Sequence, residues 1–170
     1  MEVYPQEKKS GNFQVQVNYL NVNGKLRGGN NSGIGLEAEY HFNLIKSIGL
    51  EGLGGIGYDR IFEGCPLCNS EWFEHGYWAG IGLSRRIYIK DKHSFVAQVR
   101  YRLVGFERME PELIEMDGTI IRWQKASIPQ DLLGFRFGYF LPIKLPVVLS
   151  YTFENGAFHR MNSISMGFQF

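Results

Sequence analysis

Ile34-Gly-Leu-Glu-Ala-Glu-Tyr-His-Phe42 is the stretch on which the fold turns. Ile34, Leu36, Ala38, Tyr40 and Phe42 alternate with Gly35, Glu37, Glu39 and His41. A period of two puts these sets on opposite faces of a strand; a helix would scatter them around its circumference. One face is bulky and apolar, the other small or charged. Two glutamates at the centre of such a strand need partners, and the flanking sequence supplies them.

The alternation recurs in both directions. Phe13, Val15, Val17 and Tyr19 oppose Gln14, Gln16 and Asn18 upstream. Downstream, Ile48, Leu50, Ile56 and Tyr58 oppose Glu51, Gly55, Gly57 and Asp59, with Leu53 between Gly52 and Gly54 blurring the phase and suggesting a bulge. Tyr77, Ala79, Ile81 and Leu83 then face away from Trp78, Gly80 and Gly82. Phe95 to Leu103 carries Gln98, Arg100 and Arg102 on its polar face, and Leu133 to Tyr139 carries Arg136. Val147 to Phe153 and Ile164 to Phe170 complete the set, giving eight segments. The connections alternate between brief ones (43–46, 89–93, 142–146) and longer polar ones near 21–32, 61–71, 107–130 and 155–160. This is the signature of an all-β, eight-stranded antiparallel up-and-down transmembrane β-barrel over 12–170. Both termini, including a short segment 1–11, fall on the short-turn side. In the longest connection, Asp117-Gly118 between Ile114–Met116 and Thr119–Trp123 predicts a hairpin reaching beyond the barrel wall.

Composition narrows the function. With 18 Lys and Arg against 17 Asp and Glu, the net charge of +1 offers nothing to nucleic acid. No apolar run approaches the roughly 18 residues of a membrane helix. Met1–Ser10 lacks the apolar core of a secretory signal, so the expectation is that a signal has been removed. A soluble barrel of the lipocalin kind would point the apolar face inward, and the sequence alone does not label the faces. Size decides between them. The interior of a small barrel is cramped, and the face rich in Gly and Ser also bears the charges, so the bulky face belongs outside, in lipid. Aromatic residues gather near both strand ends, Trp72, Phe73, Tyr77, Phe106 and Phe153 by the long connections and Phe13, Tyr40, Phe42, Phe95, Tyr139 and Phe170 by the short ones, as in interfacial girdles.

The chain resembles the small eight-stranded outer-membrane proteins, among them the membrane domain of outer membrane protein A and the outer membrane protein X group. The likeness rests on the architecture of 12–170 and on the last strand, Ser163–Phe170, which looks like the C-terminal assembly signal of that class, with Phe168 and Phe170 at its end. It implies an integral protein of a Gram-negative-type outer membrane, with both termini periplasmic and the long connections at the cell surface. Its surroundings would be the lipid bilayer, lipopolysaccharide and, through the last strand, the assembly machinery. No cofactor is implied.

Bulky faces outward put Glu37, Glu39, Glu51, Arg100, Arg102 and Arg136 in the lumen. There they form either a salt-bridged plug or a narrow ion path. Cys65 and Cys68 in the second long connection read as a loop disulfide, the alternatives being free thiols or, with His75, part of a metal site. A search for lipid-modifying chemistry, such as an acyl hydrolase or transferase acting on lipid A or phospholipid, finds His75, His159, Glu74, Glu154 and Ser70 near the long-connection rim but no catalytic motif. Neither a catalytic nor a metal-ligand set emerges. Ile114, Met116, Ile120 and Trp123 give the third hairpin more apolar surface than solvation needs, which suits a protein or glycolipid partner. The reading is a structural or loop-binding membrane barrel, with an enzyme or a narrow channel as the competing classes.

Overall fold

The computed structural model describes residues 11–24, 29–64, 71–89, 93–114, 120–143, 145–157 and 159–170. Eight strands occupy them: β1 (Gly11–Gly24), β2 (Gly29–Ile45), β3 (Leu50–Gly64), β4 (Glu71–Ile89), β5 (His93–Ile114), β6 (Ile120–Phe140), β7 (Val147–Gly156) and β8 (His159–Gln169). Each pairs antiparallel with its sequence neighbours, and β8 returns to β1, closing the barrel. The seam is held to the last residue. The Phe13 N–H donates to the Phe170 carbonyl at 3.1 Å, and the Phe170 N–H donates back at 2.7 Å. A barrel leaves no strand edge within its wall, which is what a bilayer demands of a sheet.

The register fixes the tilt. A path stepping across the strands from Phe13 passes Tyr40, Gly54, Ile81, Tyr101, Leu133, Asn155 and Arg160 and meets β1 again at Asn23, ten residues further on. Such a stagger in a barrel of this strand number corresponds to strands inclined by about 40°. Because the path climbs as it turns, residues far apart in sequence come to the same depth in the lumen.

Alternation holds around the whole wall. Val17, Ile34, Leu36, Ile56, Ile81, Leu103, Leu133, Phe137 and Ile164 are exposed, while Gln16, Glu37, Asp59, Arg100, Arg136 and Ser165 are buried. A belt of large apolar groups turned outward is untenable in water and is the surface a bilayer requires. Tyr19 and Tyr77 stand on its upper margin, toward the long hairpins. Phe13, Tyr40, Phe42, Phe95 and Phe170 stand on its lower margin, toward the short turns.

The structure departs from the sequence reading in three places. β3 keeps its phase through Leu53, which is buried in the lumen, and the register shift lies instead between Asn43 and Ile45 of β2, beside a 3₁₀ turn at Lys46–Ile48. Gly49 ends that turn in the left-handed region, φ 64°, where a residue without Cβ is favoured. The described parts of the expected long connections, 21–24, 29–32, 61–64, 107–114 and 120–130, are strand, because ladder pairing continues above the apolar belt. Phe106 faces the lumen, fully buried, and belongs to no girdle.

Candidate functional site

The lumen is layered. At its centre the guanidinium of Arg100 meets three carboxylates from two strands, β2 and β7: Nη2 lies 3.2 Å from Glu37 Oε2, Nη1 3.3 Å from Glu39 Oε1, and Nε 3.2 Å from Glu154 Oε1. Arg136 reaches the same two β2 glutamates. It pairs with Glu37, approaches Glu39 Oε2 at 3.0 Å through Nη1, and donates from Nε to Thr152 Oγ1 at 2.9 Å. Arg102 bridges Asp59, at 3.2 Å, and Glu154. Asn18 donates to Glu37 Oε2 at 3.3 Å. The stagger of the wall is what brings β2, β3, β5, β6 and β7 together here.

Space for these long side chains comes from missing ones. A Cβ on Gly57 would strike the indole of Trp78, and one on Gly80 would lie 3.0 Å from Arg102 Cγ. Trp78 is buried against the network, its ring 5.1 Å from the Arg100 guanidinium carbon and 4.6 Å from that of Arg102. Cation–π contact of this kind is strongest where water is excluded.

Above the charges the lumen is apolar: Leu20, Val22, Ile61, Trp78, Val104, Phe106, Leu132 and Met161 form one buried cluster. His159 lies over it, its ring 5.0 Å from that of Phe106 and its Nδ1 2.7 Å from Gln130 Nε2. Below, the filling is amide and hydroxyl. Ser150 donates to Gln16 at 3.1 Å and lies 2.6 Å from the Ser165 hydroxyl. His41 sits between Glu39 and Glu51, 3.5 Å from each. A small apolar group, Val96, Phe140 and Val148, closes the lower end, with Arg86 stacked 4.1 Å over Phe140 and bonded to Gln169 at 2.5 Å.

Of the six charged residues named from the sequence, Glu37, Glu39, Arg100, Arg102 and Arg136 are buried in the lumen, and Glu51 stands at its lower margin beside His41. Asp59, Glu154 and Trp78 join them, and all three carried the same alternation signal. Glu154 had in addition been grouped with the rim histidines. That grouping is corrected, since Glu154 is occupied by Arg100 and Arg102. The two histidines do not meet either. His75 is on the outer face, bonded through Nδ1 to the Tyr58 hydroxyl, while His159 is inside. Cys65, Cys68, Ser70 and Met116 lie outside the described residues, as do the side chains of Glu74, Ile114, Ile120 and Trp123, although the last four have their backbones in β4, β5 and β6. Among the described residues no His, Cys, Asp or Glu group could hold a metal.

No protein-family model and no curated protein matches the chain. Solved structures do. The crystal structure of Neisserial surface protein A superposes with a TM-score of 0.70 at 10% identity, over 95% of this chain and 96% of that one. The fold is that of a small outer-membrane β-barrel. Ail, the attachment invasion locus protein of Yersinia pestis, solved with the heparin analogue sucrose octasulfate, gives 0.57 at 14% identity over 95% and 100%. The N-terminal β-barrel domain of Pseudomonas aeruginosa OprF gives 0.50 at 11% over 92% and 97%. An outer-membrane location agrees with all three neighbours and with the exposed apolar belt.

Proposed function

We propose that the protein is a surface-binding barrel of the outer membrane: a closed anchor that presents the β5–β6 hairpin to a macromolecular partner. One observation carries this reading. Among the described residues β7 pairs with β6 only from Leu132 to Phe140, so the stretch of β6 from Ile120 to Pro129 has no strand paired to it on that side. Among the same residues β5 beyond Glu107 has no pairing with β4. An unpaired strand edge is a ready site for strand addition, and it stands above the apolar belt, where water and partners reach it. Support comes from the Ail neighbour, which holds a sulfated glycan analogue on the same fold.

The orientation belongs to this proposal: termini periplasmic, hairpins at the cell surface among lipopolysaccharide, and the β8 terminus with Phe168 and Phe170 read by the assembly machinery. So do the Cys65–Cys68 disulfide and the binding role of Ile114, Met116, Ile120 and Trp123. A pore is disfavoured by the stacked seals of apolar cluster and ion pairs across the lumen. Against an enzyme built on the candidate histidines stands their separation, His75 on the outer face and His159 inside.

The test compares cells displaying the wild-type barrel with cells displaying a barrel whose hairpin is cut to a tight turn at the Arg108–Ala126 pair. Attachment to cultured-cell layers and to heparin-coated beads is scored, with heat-modifiable gel migration showing that both barrels fold. Attachment that vanishes with the hairpin supports the proposal. Equal attachment of both, or of neither, overturns it.

A further inference from the structure

The outer wall has a dent where the apolar belt gives way to polar residues. Gly105 of β5 and Pro129 of β6 face each other across the ladder. A Cβ on Gly105 would find nothing within 4 Å. The resulting hollow, about 600 Å³, is lined by Tyr101, Leu103, Gly105, Pro129 and Asp131. Its lower lip is lipid-facing, with Tyr101, Leu103 and the neighbouring Leu133 all exposed. Its upper side approaches Glu107, whose carboxylate is held by Lys125 at 2.5 Å.

Asp131 is the unusual member. It alternates with buried Gln130 and Leu132, so its side chain points out, and it is opposite Leu103 in the ladder. Among the described residues no cation pairs with it. A carboxylate beside an alkyl-lined hollow, with the nearby lysine already engaged, lacks one complement: a compact cation carried on an apolar chain. A primary ammonium meets this need best, because it brings three N–H donors as well as charge, whereas a quaternary ammonium brings charge alone.

We propose that this hollow binds a phosphatidylethanolamine-class lipid, its ammonium on Asp131 and an acyl chain along Tyr101, Leu103 and Leu133. The site adjoins the base of the hairpin, sharing Pro129 with it, but it uses the outward face of β5 and β6 at membrane depth, below the Arg108–Ala126 pair, and not the strand edge. The whole protein, folded in micelles, is offered equimolar phosphatidylethanolamine, phosphatidylglycerol and phosphatidylcholine with identical acyl chains, and retained lipid is read by native mass spectrometry. Wild type retains phosphatidylethanolamine in preference to both others. Asp131→Asn loses the preference while keeping heat-modifiable migration, and Gly105→Leu, which fills the hollow, loses the retained lipid. Retention of phosphatidylglycerol or phosphatidylcholine on a par with phosphatidylethanolamine by wild type overturns the assignment. So does a preference that survives Asp131→Asn.

Discussion

Arg100 is the residue on which the interior depends. It touches carboxylates of Glu37, Glu39 and Glu154 and is about 2% exposed, so its removal takes a cation from three buried carboxylates and leaves Glu37 and Glu39 to share Arg136 and Glu154 to rely on Arg102. Breaking a buried ion pair from one side costs about 3–5 kcal/mol, mainly because the orphaned partner stays buried. Arg100→Ala is therefore expected to lower the unfolding free energy in micelles by about that amount. Urea titration followed by gel mobility measures it, and a loss no larger than at a surface site would show that the network is dispensable. Glu37, Glu39, Arg100, Arg102 and Arg136 were legible in the sequence because period two assigns each a face and a narrow lumen compels pairing. Glu154 alternates onto the same face, but its depth was not legible, since depth in a tilted barrel depends on stagger as much as on distance from a strand end, and stagger is written in pairings that a linear reading does not contain.

At the scale of elements, strand order and phase were readable and strand length was not. Alternation above the membrane is weaker, because both faces of a hairpin in water tolerate polar residues, so segments such as 21–32 looked like connections. Glycine placement tells more. Gly57 on β3 gives up its side chain to the indole of Trp78 on β4. Gly57→Val is expected to destabilise the barrel by about 1–3 kcal/mol through overpacking. Restoring room with Trp78→Leu in the same chain should return part of that loss. A double variant no more stable than Gly57→Val alone, in the same urea titration, would mean that the two do not share the space.

For the molecule as a whole, the lumen is crossed by two seals of different chemistry, an apolar cluster above and a charge network beneath it. Purified protein in planar bilayers is expected to give no stepwise current at either polarity, and regular steps would show that the layers part. The outward belt is under a much looser demand. Inward residues such as Glu37, Arg100 and Arg136 are bound to particular partners across the barrel, whereas an outward residue need only be bulky, apolar and suited to its depth. Roughly every second position can thus drift among Leu, Ile, Val, Phe and Tyr without consulting any neighbour, and the inner half can be rewritten wherever charges exchange as a set. Two chains can have almost no letter-by-letter likeness and still share one wall, as the superposition on Neisserial surface protein A at 10% identity illustrates. Such a wall is specified by its geometry far more than by its letters.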